Sequence, residues 1–254
     1  MKLPYPILEF DPCREAVIEP STVRRGVDMP EKAVFCFFHE VIASVVKAGE
    51  AHLLFQIPSE MGKHPVYELE KAGQRIALLQ PGIGAPFAAG FLEEIIAHGS
   101  RKFIVCGGCG VLDGAIARGH VLVPTSAVRD EGTSYHYLPP GREVGPTPSA
   151  LAAIEDALRD LGIEYLPIKT WTTDAIYRET RDKVNQRLAE GCLTVEMEAA
   201  ALFAVAQFRG VELGQLLYAG DDLSGEIWDP RGWNSHDTAR EQLFRLATEA
   251  CVRL

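Results

Sequence analysis

The chain predicts an α/β fold: a single three-layer domain over 1–254, with a twisted, mostly parallel central sheet flanked by helices. Three observations lead there. Apolar or alternating runs of strand length alternate with stretches of helical periodicity along the chain, with no internal repeat and no low-complexity linker. At 254 residues the chain is long enough for one substantial core. Glycines or carboxylates follow four of the strand candidates, and in such folds ligands lie beyond the carboxyl ends of the strands.

In chain order, the apolar run at 34–38 reads as a strand and leads into helical spacing at 39–49. Strands follow at 51–57 and 75–80, then a helix over 85–98 entered through Gly82-Ile83-Gly84-Ala85-Pro86. The runs at 102–106 and 120–124 are strands. The segment 125–147, with prolines and glycines gathered from Pro139 onward, is expected to be the most loop-like, as a lid or an oligomer contact. Pro146 and Pro148 ahead of Ser149 mark the start of a helix over 148–161, where Leu151, Ile154, Leu158 and Leu161 keep helical spacing. A strand at 166–170, a helix at 179–189 and a strand at 193–195 come next. A buried helix at 197–209, a strand at 214–219 and a helix at 236–253 complete the reading.

Bulk properties narrow the function. A formal charge of −10 without a Lys/Arg cluster argues against a nucleic-acid surface. The first ten residues hold two prolines and no long apolar stretch, so no signal peptide is expected. No segment approaches the roughly 20 unbroken apolar residues of a membrane span. Six cysteines are scattered through core-like segments, as expected of reduced thiols in a cytoplasmic protein. Cys106-Gly107-Gly108-Cys109 is formally a C-x-x-C, but no second pair accompanies it, and neither metal nor cofactor is expected.

The chemistry-bearing segment is Val195-Glu196-Met197-Glu198-Ala199-Ala200-Ala201-Leu202. Two carboxylates straddle a methionine where a small, apolar helix begins. Burying them is costly unless something polar binds them. Residues two apart do not share a helix face, so Glu196 and Glu198 have different jobs. Solvated first-turn carboxylates favoured by the helix dipole are the plain alternative.

Val-Glu-Met-Glu-Ala-Ala before an apolar helix resembles the ribose-binding signature of the nucleoside phosphorylase family, in its purine nucleoside/uridine phosphorylase branch. Gly82-Ile83-Gly84-Ala85-Pro86 is similar to that family's glycine turn. Phe103-Ile104-Val105-Cys106-Gly107-Gly108-Cys109-Gly110 resembles its strand and phosphate-side loop, and Tyr218-Ala219-Gly220-Asp221-Asp222-Leu223 its base-recognition loop. The likeness runs in the family's order from about Asp11 to Leu223.

The resemblance implies cleavage of an N-glycosidic bond through an oxocarbenium-like sugar, with phosphate as co-substrate and no other cofactor. It implies that Glu198 accepts the 2′- and 3′-hydroxyls and favours positive charge on the ring. Met197 would pack its thioether on the ribose, with core filling as the alternative. Glu196 would line the substrate or cap local backbone donors. Asp221 would protonate or hydrogen-bond a purine N7, unless it is a turn aspartate, and Asp222 would supply a neighbouring like charge. Trp171 would stack on the base beside Thr172, with a plain core tryptophan as the other reading. Gly107, Gly108 and Gly220 would line the substrate, and Arg14 and Gly84 the phosphate.

Departures cluster on the phosphate side. Phe10-Asp11-Pro12-Cys13-Arg14 keeps the arginine of the family's Gly-Asp-Pro-x-Arg loop but replaces its glycine, and Val105 and Gly108 stand where the family has arginine and serine. Arg24, Arg25, Lys63, His64 and Arg178 are substitute cations, some drawn from a neighbouring subunit. Three functions stay open: a phosphorylase, a nucleosidase using water, with Glu9 as the stand-in for its water-holding glutamate, and a non-catalytic nucleoside-binding protein. The resemblance also implies a homo-oligomer whose site borrows a residue, with His39, His64 and His136 as candidate donated histidines.

Overall fold

The apolar run after Lys32 folds as β1 (Lys32–Cys36), buried from Ala33 onward, and takes an inner place in a ten-stranded sheet. The computed structural model describes residues 2–23, 26–233 and 238–254. α1 (His39–Lys47) leads to three strands, β2 (Ala51–Ser59), β3 (Gly62–Lys71) and β4 (Gln74–Leu79), and then to α2 (Ala85–His98). β5 (Lys102–Val111), β6 (Val121–Asp130) and the two-residue β7 (Glu143–Val144) precede α3 (Pro148–Asp160) and β8 (Tyr165–Thr173). α4 (Arg181–Ala189), β9 (Cys192–Glu196), α5 (Ala199–Arg209), β10 (Glu212–Asp222) and α6 (Thr238–Arg253) complete the order.

The strands line up as β10-β6-β8-β9-β5-β1-β4-β3-β2, and β10 also pairs with β5. That last pairing closes β5, β10, β6, β8 and β9 into a ring. Helices cover both faces. α2 and α5 pack on one apolar cluster with Phe35, Leu79 and Phe103, whereas α1, α3 and α6 pack on the other with Val34, Leu78 and Ile104. Alternate residues of one strand serve opposite layers, as the pleat requires.

The mostly parallel sheet expected from the alternation is instead mixed. β1–β4, β1–β5, β5–β10, β6–β8 and β8–β9 are parallel, while β2–β3, β3–β4, β5–β9, β6–β7 and β6–β10 are antiparallel. Hairpins at one edge and the ring closure at the other supply the reversals. β3 has no counterpart among the expected strands because Pro65 interrupts its pattern. In the structure Pro65 faces Gln56 of β2, and the ladder to β4 begins only at Val66, so the missing N–H leaves no gap in it. The expected loop at 125–147 is largely ordered pairing: β6 runs on to Asp130, and β7 returns to lie on Ala127 and Val128.

Residues 107–110, expected as a loop, continue β5 to Val111. Their glycines admit close neighbours: a Cβ at Gly107 would sit 3.1 Å from the Phe37 ring, and one at Gly108 3.0 Å from that of Tyr218. Cys106 and Cys109 fall in different apolar clusters, so the C-x-x-C is split between two faces of the strand, and both thiols are free. Among the described residues no helix is long and apolar enough to cross a membrane, and no cluster could hold a metal ion.

α3 is seated on β10 through Gly214, where an added Cβ would lie 2.9 Å from Ile154 Cδ1 and 3.1 Å from Ala150 Cβ. Gly214→Val should therefore destabilise the fold by about 1–3 kcal/mol in urea unfolding. An unchanged midpoint would contradict this packing.

Candidate active site

β9 ends and α5 begins with two buried glutamates that have different partners. Glu196 is buried, and its Oε2 accepts the backbone N–H of Glu198 at 2.8 Å and of Ala199 at 2.6 Å. Its Oε1 accepts the Thr172 hydroxyl at 2.6 Å, and Thr172 Oγ1 in turn accepts Ala200 N–H at 3.0 Å. One carboxylate and one hydroxyl thus satisfy three of the amides that open α5. Burial pushes Glu196 up, and these hydrogen bonds pull against it. Glu196 therefore takes the capping role that stood beside substrate lining in its expectation, and Thr172, expected to line the substrate, is engaged in the same cap.

Glu198 is also buried, at 7% exposure, and its Oε1 accepts Gly84 N–H at 2.6 Å. Gly84, at φ 92°, forms the N-terminal boundary of α2, and Gly82 at φ 76° leaves the room that a side chain would take from the Phe87 ring. The glycine turn therefore orients the carboxylate. Burial, and then the charge of Glu196, push Glu198 up to about 8. Met197 lies between the two glutamates, half-buried. The Gly84 N–H, expected on a phosphate, is taken by Glu198.

The second half of β5 brings Asp221 and its neighbours alongside. On one edge Val195 lies opposite Gly110, and on the other Ala219 lies opposite Cys109 and Asp222 opposite Val111. A Cβ at Gly110 would stand 3.2 Å from Val195 Cγ1, 3.5 Å from Asp221 Oδ1 and 2.5 Å from Leu223 Cδ1. Burial pushes the Cys109 thiol up, and the charges of Glu196 and Asp221 push it further, so both carboxylates stand near one side chain.

Asp221 Oδ2 accepts the Trp228 indole N–H at 2.7 Å. Asp222, expected to press a like charge on Asp221, is paired with Arg231 and accepts Ser224 N–H at 2.7 Å; despite burial, those bonds hold it below the usual range. The like charge comes from Glu179, which burial and Asp221 together push up to about 7. Sequence reading missed Glu179 and Trp228, because the contacts that mark them span 42 and 7 residues from Asp221. In the structure Ile176, Tyr177, Ile227 and Trp228 leave exposed apolar surface on those two segments.

Other expectations are corrected. Trp171 is fully buried with Leu112, Val128 and Val195, its indole N–H on Asp130 at 3.0 Å and the Arg187 guanidinium 5.5 Å from its ring, so it cannot stack on a base. Gly107 is buried under Phe37 and Gly220 under the Cys109 carbonyl; Gly108 is exposed. Arg14 stacks on Phe208 at 5.7 Å, at the far end of α5 from Glu198, about 15 Å away along the helix axis. It does not reach the sugar side of its own chain. Val105 is buried, and Phe10 is half-buried.

Arg24 and Arg25 lie outside the described residues. Lys63 and His64 start β3, and the His64 ring packs edge-on to Phe87 and Phe91 beside the glycine turn. Arg178 is exposed on the turn that carries Glu179. His39 and His136 are exposed, and Glu9 accepts its own loop's Leu3 N–H at 2.6 Å. A shallow surface depression lined by His120, Arg159 and Tyr165 lies where β6 and β8 begin and holds none of these carboxylates.

A family model described as the phosphorylase superfamily matches residues 33–252, a span that begins downstream of Arg14. Guanosine phosphorylase of Halorubrum lacusprofundi is 29% identical over 235 residues, covering 83% of this chain and 97% of the relative. Uridine phosphorylase of Treponema pallidum is 30% identical over 186 residues, 69% of this chain and 71% of the relative. In fold, purine nucleoside phosphorylase from Toxoplasma gondii superposes with a TM-score of 0.76 over 89% of this chain and 92% of its own, at 22% identity. AMP nucleosidase from Bacteroides thetaiotaomicron does so at 0.72, over 88% and 87%, at 23% identity.

Because burial raises Glu198 from the ordinary 4.5 to about 8, its protonated form stabilises the fold fully below 4.5, and that stability is lost as pH rises toward 8. Glu198→Gln keeps an acceptor for Gly84. It should gain a few kcal/mol over the parent protein near pH 8.5 and nothing near pH 4 in urea unfolding. A pH-independent difference would contradict the burial of this carboxyl.

Proposed function

This chain belongs to the phosphorylase superfamily, and on that premise we propose that it is a nucleoside phosphorylase acting on a purine-type nucleoside. Phosphate displaces the base from the sugar and gives free base and ribose 1-phosphate. The observation that carries this reading is the placement of Glu198 and Asp221 on either side of the 107–111 segment of β5. Neighbouring strands are about 4.8 Å apart, so the two edges stand roughly 10 Å from each other, within reach of one nucleoside.

Glu198, aimed by the Gly84 amide, accepts the sugar hydroxyls and in its ionised form favours the oxocarbenium-like ring. Met197 covers the sugar face. Asp221 hydrogen-bonds the base and passes it a proton as the glycosidic electron pair moves onto the leaving group. Glu179, titrating about 7, keeps a carboxyl proton on the base side near neutral pH. Relatives named guanosine and purine nucleoside phosphorylase support the purine reading.

Phosphate meets a cation other than the chain's own Arg14, which stands at the wrong end of α5. His64, Lys63 or a residue of a second subunit supplies it, in a homo-oligomer of one-domain chains in the cytoplasm. The loss of phosphate ligands at Phe10, Val105 and Gly108 favours a second reading, hydrolysis of the same bond by water.

Base release from inosine or guanosine should require phosphate and yield ribose 1-phosphate. Free ribose released without phosphate would make the protein a nucleosidase, and binding without turnover a nucleoside-binding protein. Glu198→Ala should reduce turnover of ribosides by about 100-fold, and of 2′,3′-dideoxy analogues far less. An equal loss for both would contradict hydroxyl contact.

A further inference from the structure

The segment after β10 turns back on itself and returns a tryptophan to Asp221. Asp222 and Asp229 exchange backbone hydrogen bonds at 2.8 and 3.0 Å, which closes the 223–228 tip. The base of that tip is pinned from both sides. Arg231 reaches the Asp222 carboxylate and the Ile116 carbonyl, and Arg181 donates to the carbonyls of Leu223, Ser224 and Gly225.

The tip itself is exposed: Ile227 is 85% and Trp228 54% accessible. An indole this open is not held by burial. Its specific tie is the 2.7 Å hydrogen bond from Nε1 to Asp221 Oδ2. The other oxygen, Oδ1, turns away from the indole toward β5, 3.5 Å from where a Cβ at Gly110 would stand beside Leu223. The indole has only an N–H to offer, so it fixes which carboxyl oxygen it holds and which it leaves to another partner.

We propose that Trp228 is the positioning residue of the base side, holding Asp221 Oδ2 so that Oδ1 is presented to the nucleobase. This rests on the reading of Asp221 as the group that meets the base. The indole N–H neither gains nor loses a proton. As the C–N bond breaks its electron pair goes to the base, and the proton moves from Asp221 to a base nitrogen, leaving a carboxylate that the indole N–H continues to bond. The arrangement stabilises the developing charge more than the ground state, so its loss falls on kcat. Arg181 sets the distance by tying the tryptophan tip to the segment that carries Glu179.

Trp228→Phe keeps a ring of similar placement and removes the N–H; Trp228→Leu removes both. Base release in phosphate is measured for inosine, whose base needs a proton to leave, and for 7-methylguanosine, whose base leaves without one. Asp221→Asn is measured in parallel. With Trp228→Phe, kcat for inosine should fall about tenfold with KM little changed, the size of one lost charge-assisted hydrogen bond, while 7-methylguanosine changes less than about twofold. Trp228→Leu should show the same split.

Equal losses on the two substrates, or none, with Asp221→Asn still selective for inosine, would overturn the role of Trp228 alone. An Asp221→Asn variant without that selectivity would remove the base-side reading and the inference with it.

Discussion

The buried Glu196 carboxylate is the contact on which the site depends. By taking two amides of the α5 N-terminus and the Thr172 hydroxyl, it fastens three segments at one point: the end of β8, the end of β9 and the first turn of α5. A buried carboxyl with this many donors is tolerated in an apolar interior, and each donor offsets part of its desolvation penalty. Glu198 follows two residues later and inherits its position from that clamp. The Gly84 N–H then holds its Oε1 from the α2 side.

Glycine does the corresponding work on the opposite flank. Gly108 and Gly110 have no side chains, so β10 and the 223–225 segment close onto β5 and bring Asp221 beside the end of β9. The site is therefore built across a strand rather than beyond the strand ends. The reversal of β9 against β5 makes this possible, since it points the glutamates back along β5 instead of away from it. Charges on the two flanks differ in their neighbours. Asp222 is neutralised by Arg231, whereas Asp221 keeps a carboxyl neighbour in Glu179 and a neutral donor in Trp228.

Strong local patterns made much of the fold legible. α2 begins at Ala85 and ends at His98 as expected, because Gly84 and Gly99 bound it, and α3 starts at Pro148 for the reason Pro146 and Pro148 announce. The reading failed where tertiary contacts override local chemistry. Gly107, Gly108 and Gly110 resemble a loop until Phe37, Tyr218 and Leu223 are seen against them. Trp171 looks like a base-stacking residue until Asp130 and Arg187 are found around it. The division of labour between Glu196 and Glu198 followed from their spacing, but which one caps the helix depended on Thr172, 24 residues earlier. Glu179 and Trp228 carried no local signal, since each matters only through Asp221.

The proposed function requires that a nucleoside lie across β5 with its sugar on Glu198 and its base on Asp221. A crystal structure with a non-cleavable purine nucleoside analogue tests it most directly. The account predicts the 2′- and 3′-hydroxyls within hydrogen-bond distance of Glu198 and a base nitrogen within hydrogen-bond distance of Asp221. An analogue seated elsewhere, or one touching only one of the two carboxyls, would contradict it.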